Sequence, residues 1–362
     1  MLNLVIDNRI SDSSGIGKYV TNLIPYLIDY YNITLLCPSN FLIDKKIKDK
    51  VKIVTVDAKI YSLSEQLYLF KNIPSCDIFW SPHWNIPILK IPAKKRIVTI
   101  CDTYHMYNYK NLTFFQKIYC SIIMRLALLY SDLVFTISQF SKSEIKKYLN
   151  TENVKVINLG VDHEFFNVIN YQEEKKKYLQ SKYSIPDSYI LFVGNVKPHK
   201  NLLTLVRALK LLPNKNLVIA GKFEGLITTD KELFKMIHED KDLNKRIFFT
   251  GYFNNDDLPF LYKYADVFVF PSIYEGFGLP ILEAQASGCP VISSFAASLP
   301  EVCNKSVLYI DPLNPYSIKE KVIESDDINK RSELIRLGYI NCKNFTWKAT
   351  STSTIKHFES LF

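Results

Sequence analysis

The sequence predicts an α/β protein with two doubly wound parallel sheets, and two observations indicate this fold class. Short, almost continuously apolar runs, typical of strands buried on both faces, alternate with longer segments of helical period. One charged segment, 167–188, lacks any strand pattern, and a fresh set of strands begins after it. This pattern therefore predicts a separate parallel sheet in each half of the chain, covered by helices on both faces.

The apolar runs predict the strands in order. Those of the first half are 2–7, 33–37, 51–56, 77–81, 96–101, 133–138 and 154–158. Those of the second half are 189–194, 216–221, 246–251, 266–272, 290–294 and 307–311. Their alternation with helices predicts two Rossmann-like domains, at residues 1–170 and 185–345, and the period of 345–362 predicts a closing helix.

Composition narrows the classes of function. The formal net charge of +9 suits a protein that binds phosphate or anionic lipid and equally one that is merely soluble. No nucleic-acid-binding module accompanies the charge, so nucleic acid is not an expected partner. The seven cysteines are scattered without C-x-x-C spacing, which favours neither zinc nor disulfides and is typical of the cytoplasm. Asp7 and Arg9 disfavour a signal peptide, and no apolar run reaches the roughly 20 residues that span a bilayer.

The loops after the strands are the expected ligand sites, because doubly wound sheets bind ligands beyond the carboxyl ends of their strands. We expect the two domains to face each other across a cleft lined by these loops. In the first loop, Gly15 and Gly17 stand where a helix begins, so backbone N–H groups can approach an anion. A tight turn without a ligand explains the same glycines, and the loop lacks a dinucleotide fingerprint, which disfavours an NAD(P) enzyme.

The first loop of the second half reads "VGNVKPHKNL". Gly194 permits a close turn, and Lys197, His199 and Lys200 put basic groups at the start of the next helix. A single lysine there is usually solvated surface, whereas three basic residues within four positions favour a bound phosphate.

Two glutamates flank the stretch "EGFGLPILE". Glu275 is predicted in a loop after a buried strand, and Glu283 in the first turn of the helix that follows, with both side chains directed to the carboxyl edge of the sheet. Gly276 and Gly278 keep the backbone between them slim. Carboxylates in these positions can accept hydrogen bonds from hydroxyls, which favours a sugar or ribose as ligand. The alternative, that Glu283 only complements the helix dipole, leaves Glu275 unexplained.

The motifs "PSIYEGFGLPILEAQASGCPVISS", "VGNVKPHKNL", "TGYFNNDDLPFLYKYADVFVFPS", "GIGKY" and "SPHWNIP" resemble the retaining GT-B glycosyltransferases of family 4. The resemblance covers nearly the whole chain. It implies a GT-B fold whose last helix, 346–362, packs back on the first domain. It also implies a nucleotide-sugar donor held mostly by the second domain, with Lys200 on the diphosphate, Glu275 on the transferred sugar and Glu283 on the ribose. The implied donor-binding residues are Gly15, Gly17, Gly194, Asn195, Lys197, Lys200, Gly221, Tyr252, Glu275, Gly276, Phe277, Gly278, Leu279 and Glu283.

The implied reaction is transfer with retention at the anomeric carbon. The departing phosphate takes the acceptor's proton, so no protein nucleophile, metal or other cofactor is expected. Many relatives carry His-Asp after the strand that here ends before Cys101 and Asp102, so a thiol replaces that histidine and His105 is a partial substitute. The resemblance thus assigns catalytic roles to Glu275, Lys200, Asp102 and His105. His83 is either a structural loop histidine or an acceptor-side residue together with Cys101, Asp102 and His105.

The expected function is transfer of a hexose or deoxyhexose to a growing, lipid-linked bacterial glycan such as O-antigen or capsule. GDP-mannose is the leading donor, followed by dTDP-rhamnose and UDP-sugars, and the alternative is a non-catalytic glycan-binding subunit. The segment 111–135 combines apolar residues with Lys117 and Arg125. It predicts either a core helix or a helix that lies on the inner surface of the cytoplasmic membrane.

Overall fold

The computed structural model describes residues 1–10, 15–41, 45–167, 172–221, 231–251 and 253–362. Contacts divide the chain into two compact units, Met1–Gly160 with Trp347–Phe362, and Val161–Thr346. Among the described residues, no helix is long and apolar enough to span a bilayer. The tyrosine of the "GYF" motif, Tyr252, lies outside the described residues, as do 11–14, which precede Gly15.

The first unit is built on a parallel sheet of order β3-β2-β1-β4-β5-β6-β7. Its central strands are mostly buried apolar runs, as expected of strands covered on both faces, whereas the edge strands are more exposed. The strands are β1 Leu2–Asp7, β2 Tyr31–Cys37, β3 Lys52–Thr55, β4 Cys76–Ser81, β5 Ala93–Thr99, β6 Leu133–Thr136 and β7 Lys155–Val156. The helices are α1 Gly15–Leu27, α2 Lys45–Lys48, α3 Leu63–Asn72, α4 Tyr104–Tyr107, α5 Phe114–Leu129, α6 Gln139–Leu149 and, from the end of the chain, α17 Trp347–Glu359.

The second unit contains a parallel sheet of order β10-β9-β8-β11-β12-β13. Its strands are β8 Ile190–Val193, β9 Leu217–Ala220, β10 Ile247–Gly251, β11 Val267–Phe270, β12 Val291–Ser294 and β13 Leu308–Ile310. The helices are α7 His163–Phe166, α8 Glu173–Tyr183, α9 Leu202–Lys210, α10 Lys231–Glu239, α11 Lys241–Arg246, α12 Leu258–Tyr264, α13 Leu279–Ala286, α14 Leu299–Cys303, α15 Pro315–Glu324 and α16 Ile328–Cys342. The predicted fold class of two doubly wound parallel sheets is confirmed.

Aromatic packing holds α17 on the first unit. Phe358 is fully buried and its ring lies 5.8 Å from that of Trp80 and 6.0 Å from that of Phe135, which come from β4 and β6. Trp347 stacks on Tyr19 of α1 at 6.5 Å. The last helix of the chain therefore completes the core of the unit in which the chain begins.

The second unit begins before the predicted residue 185. Helix α8 belongs to it because Asp257, which is 2% exposed, accepts hydrogen bonds from Lys175 and Lys182 of α8 at 2.7 and 2.8 Å. The hydroxyl of Tyr183 donates a third, at 2.8 Å. The charge of the segment 167–188 is thus partly used to bind α8 to its own unit.

Each sheet reverses its strand order at one point, between β1 and β4 in the first unit and between β8 and β11 in the second. These switch points are where ligands of doubly wound sheets bind, beyond the carboxyl ends of the strands. In the second unit the tips of β8 and β9 approach closely. The Gly194 N–H donates to the Ala220 carbonyl at 2.9 Å, and a Cβ on Gly221 would lie 2.2 Å from the Gly194 carbonyl oxygen.

We therefore expect Gly221→Ala to lower the free energy of unfolding by about 1–3 kcal/mol, because a backbone atom blocks the added carbon. Urea unfolding followed by circular dichroism measures the change. Gly15→Ala is the matched control, since nothing lies within 4 Å of its added Cβ. Equal unfolding midpoints for Gly221→Ala and the parent would contradict the expectation.

Candidate active site

The most notable charged contact of the second unit joins the loops after its two central strands. Lys200 follows β8, Glu275 follows β11, and the Lys200 Nζ lies 2.5 Å from the Glu275 Oε1. The side chains are 19% and 12% exposed, so the pair is sheltered but reachable. Two residues 75 positions apart thus meet at the switch point.

Backbone contacts fix the position of Lys200. It ends a short 3₁₀ turn, Pro198–Lys200, and Asn201 follows in the left-handed conformation. The Asn201 amide donates to the carbonyls of Pro271 and Pro312 at 3.0 and 2.6 Å. The Ile273 N–H donates to the His199 carbonyl at 2.8 Å. The turn that carries Lys200 is therefore bound directly to the loop that carries Glu275.

The basic character of this turn comes from its lysines. His199 is mostly buried, and this burial, with the neighbouring Lys200 and Lys197, lowers its pKa to about 3. His199 is therefore neutral at physiological pH, which reduces the three predicted cations to two. Asn195, Lys197 and Gly194 are all partly exposed at the tip of β8.

The loop between β11 and α13 is held from the side of α14. The Ser298 hydroxyl lies within hydrogen-bonding distance of the carbonyl oxygens of Glu275 and Phe277, at 2.9 and 3.0 Å. Gly278 has φ +114°, and a Cβ there would lie 2.8 Å from Leu299. Gly276 and Phe277 are buried, and Leu279 begins α13 directly after Gly278.

Glu283 lies deeper in α13 than predicted. Because α13 begins at Leu279, Glu283 is its fifth residue, and the first turn carries no acidic side chain; the predicted placement in the first turn is wrong. Glu283 is 3% exposed and accepts a hydrogen bond from the Tyr262 hydroxyl at 3.2 Å. Burial and the nearby Glu283 raise the pKa of Tyr262, which keeps this hydroxyl a donor. A helix-dipole role does not account for Glu283 in this position.

In the first unit, Gly15 and Gly17 are the first and third residues of α1. Gly15 is exposed and Gly17 is buried. Both lie in the first turn of the helix that follows β1.

Cys101 and Asp102 follow β5. The Cys101 thiol donates to the Pro82 carbonyl at 3.7 Å, and burial together with Asp102 raises its pKa, so it stays protonated. Asp102 accepts the Tyr104 N–H at 2.9 Å at the start of α4. His105 of α4 packs against the edge of Trp84, with ring centroids 5.3 Å apart.

His83 follows β4 and is 3% exposed. Its Nδ1 accepts the Asn85 N–H at 3.1 Å, and its Nε2 lies 3.5 Å from the Asp7 Oδ2. His83 therefore lies inside the unit, beside the carboxyl end of β1. Its role towards an acceptor stays a prediction.

Sequence reasoning missed a buried charge network at this switch point. Arg9 donates to both oxygens of Asp7, at 2.8 and 2.7 Å, and to Glu65 of α3 at 2.7 Å. Burial alone would raise the pKa of Asp7, but the Arg9 guanidinium and His83 hold it well below its ordinary value. The charged residues of "DNR", at the end of an apolar strand, indicate that Asp7 and Arg9 have a special role. Nothing in the sequence indicates such a role for Glu65.

We expect Arg9→Ala to destabilise the protein by about 3–5 kcal/mol, since it leaves two buried carboxylates without their cation. The deficit should shrink as the pH falls, because the stabilisation from the depressed pKa of Asp7 is complete above its ordinary value of 3.8 and is lost progressively below it, whereas protonation relieves the variant. Chemical unfolding at neutral and acid pH measures both effects.

Arg207→Ala is the control, because Arg207 pairs with Glu232 at 2.5 Å on the surface, where such pairs contribute about 0–1 kcal/mol. Equal losses of stability for the two variants would contradict a special role for the Arg9 network.

Known proteins resemble this chain in sequence and in fold. Residues 170–338 match the model of the family described as glycosyl transferases group 1. The chain is 33% identical to the O-antigen chain mannosyltransferase B of Escherichia coli over 237 residues, which are 64% of this chain and 61% of that protein. It is 32% identical to the serotype-specific mannosyltransferase WbdA of Escherichia coli over 241 residues, which are 64% of this chain and 29% of that protein. The chain thus matches less than two thirds of the length of either relative.

Among solved structures, sucrose-phosphate synthase from Thermosynechococcus elongatus superimposes with a TM-score of 0.82 at 16% identity, over 100% of this chain and 99% of that one. WaaG, a glycosyltransferase involved in lipopolysaccharide biosynthesis, superimposes with a TM-score of 0.75 at 13% identity, over 97% of this chain and 98% of that one. The fold is that of the GT-B glycosyltransferases. Residues 170–338, just under half of the chain, form a glycosyl transferases group 1 domain.

Proposed function

We propose that the protein is a retaining, metal-independent hexosyltransferase that moves mannose from GDP-mannose to a growing, lipid-linked O-antigen, capsule or similar bacterial glycan. The family supports the class of reaction. The names of the two relatives, both mannosyltransferases, support mannose as the sugar, and O-antigen in the first name supports the kind of acceptor.

The observation that carries the proposal is the contact between Lys200 and Glu275. A cation suited to a diphosphate and a carboxylate suited to sugar hydroxyls lie 2.5 Å apart at the switch point of one sheet. Both side chains remain partly accessible. Glu283, in the next turn of α13, is the proposed ribose contact.

In the proposed reaction, the bond between the anomeric carbon and the diphosphate breaks while a bond to the acceptor oxygen forms on the same face. The acceptor's proton passes to the departing diphosphate. Lys200 and Lys197 neutralise the charge that develops on this leaving group, so the protein supplies electrostatic stabilisation and orientation rather than a nucleophile. Glu275, released from Lys200, accepts hydrogen bonds from the transferred sugar.

We expect Lys200→Ala and Glu275→Ala each to lower the rate of transfer by about 10²–10³-fold, since each removes a group that acts on the reacting centre. Transfer from GDP-mannose to a lipid-linked acceptor, read as product with its anomeric configuration, measures the effect. Lys215→Ala is the control. Lys215 lies just before the amino end of β9, whereas Lys200 lies beyond the carboxyl end of β8, and Lys215 pairs with Asp326.

A panel of GDP-mannose, dTDP-rhamnose and UDP-sugars tests the donor. Turnover only with dTDP-rhamnose or a UDP-sugar would replace the donor and keep the reaction class. No turnover with any donor, despite binding, would favour a non-catalytic subunit, for which the protonated thiol of Cys101 at the family's histidine position is the supporting feature. Inversion in the product would contradict the retaining mechanism.

We also propose that the first unit docks on an anionic membrane surface through α5. This helix has a buried face, formed by Cys120, Ile123, Met124 and Ala127. Its opposite face is an apolar stripe between 42% and 82% exposed, formed by Phe114, Phe115, Ile118, Ile122 and Leu129. The charged residues within 109–131 are Lys110, Lys117 and Arg125, all of them positive, and Asp132 just beyond pairs with Lys95 at 3.2 Å. An apolar stripe bordered by cations suits the surface of an anionic bilayer.

We expect the protein to sediment with phosphatidylglycerol vesicles and much less with phosphatidylcholine vesicles, and added salt should weaken the binding. The double variant Phe114→Ser/Phe115→Ser should bind at least about tenfold more weakly, because both side chains lose apolar area that the interface would cover. Leu67→Ser/Phe70→Ser, on the exposed face of α3, is the matched control. Parent-like binding by the α5 double variant would contradict docking through the stripe.

A further inference from the structure

Three aromatic rings of the first unit meet beside its switch point. We call Tyr61, Trp84 and Tyr119 the aromatic cluster. Tyr61 stacks on Trp84 with ring centroids 5.5 Å apart and an angle of 25° between the planes. Tyr119 packs edge-on against both, at 6.1 Å from Tyr61 and 6.3 Å from Trp84. The rings come from the loop before α3, the loop after β4 and helix α5.

The buried charge network holds the cluster in position. The Tyr61 N–H donates to the Glu65 Oε2 at 2.8 Å. The Tyr119 hydroxyl donates to the Asn85 Oδ1 at 2.6 Å, and the Asn85 amide donates to Glu65 at 3.0 and 3.1 Å. Since Arg9 binds Glu65, the two tyrosines are connected to the carboxyl end of β1, and Trp84 packs against both.

Tyr61 has features that core packing does not explain. Its backbone lies in the left-handed region, at φ 65°, which is unfavourable for a residue with a bulky side chain. Tyr61 is nevertheless 52% exposed, so burial of the ring does not compensate for the strained backbone. Exposed aromatic side chains held rigidly by a polar network are typical of binding sites.

The surroundings of the cluster indicate the kind of ligand. The charges near it include the carboxylates of Asp7, Glu65 and Asp102 and the guanidinium of Arg9, which sum to −2 when all are ionised. This sum disfavours a phosphate. Aromatic faces instead fit the apolar C–H face of a pyranose, whose hydroxyls can reach the polar edges of the tyrosines. His105, which packs edge-on against Trp84, adds a further polar edge.

We propose that the aromatic cluster is a subsite for a neutral pyranose of the acceptor glycan, with Tyr61 as its principal stacking residue. This inference rests on the proposed function, and it adds aromatic side chains to the predicted acceptor-side residues. The apolar stripe lies on the same helix as Tyr119, so a glycan on a membrane-bound carrier would reach the cluster from that surface.

Tryptophan fluorescence tests the subsite without any turnover. The chain has three tryptophans, of which Trp80 and Trp347 are buried and Trp84 is half-buried. We expect an α-linked mannotriose to change the emission saturably and to protect it from acrylamide, and Trp84→Phe should abolish both effects. No saturable change, or a change that persists in Trp84→Phe, would overturn the proposal.

Kinetics supply the second test. Tyr61→Ala should raise the KM for the acceptor roughly tenfold, which is about 1.4 kcal/mol, with the KM for the donor and the unfolding midpoint unchanged, since the variant loses the stacked ring. Tyr61→Phe should retain most of the parent's affinity. Tyr30→Ala is the matched control, because Tyr30 is also 52% exposed but precedes β2, at the opposite edge of the same sheet.

The two tests separate the subsite from the proposed function. An unchanged acceptor KM in Tyr61→Ala, with normal transfer by the parent, would overturn the subsite and leave the function intact. Mannotriose binding at Trp84 without transfer from any donor would support the subsite and contradict the proposed reaction.

Discussion

The ion pair between Lys200 and Glu275 is the interaction on which the proposed chemistry depends. It forms because β8 and β11 are neighbours at the point where the strand order reverses, so their loops leave the same edge of the sheet. The ion pair of this lysine and glutamate has no net charge. It suits a ligand that is anionic at one end and rich in hydroxyls at the other. The glycine caps and the Ser298 contact fix the backbone around them.

The first unit uses charge at its own switch point in a different way. Arg9, Asp7 and Glu65 are buried and form ion pairs with one another, so their charged groups are not available to a ligand. Their contribution is positional, because Glu65 and Asn85 hold Tyr61 and Tyr119 against Trp84. The same topology thus supports an accessible ion pair in one unit and a rigid base for aromatic side chains in the other. An ion pair in one unit and aromatic side chains in the other suit the proposed reaction between a charged donor and a neutral acceptor.

The sequence predicted the fold well because strands buried on both faces must be apolar throughout, and such runs are easily recognised. It also placed Lys200 and Glu275 in the loops after two such strands, where the structure has them, while their roles stay predictions. It did not predict the role of Glu65, which lies 56 residues from Arg9 and looks like any surface residue of an amphipathic helix. Nor did it predict the cluster around Trp84, because that depends on the left-handed backbone of Tyr61 and on three separate elements. The depth of Glu283 depended on the helix beginning only after Gly278.

The central claim is that Lys200 binds the diphosphate while Glu275 binds the sugar. Calorimetric titration of Glu275→Ala with GDP-mannose and with GDP tests both parts together. Removal of the carboxylate frees Lys200, so GDP should bind at least as tightly as to the parent, while the preference for GDP-mannose over GDP falls by about tenfold, the loss expected for a hydrogen-bonded charged partner. An unchanged ratio of the two affinities would contradict the account.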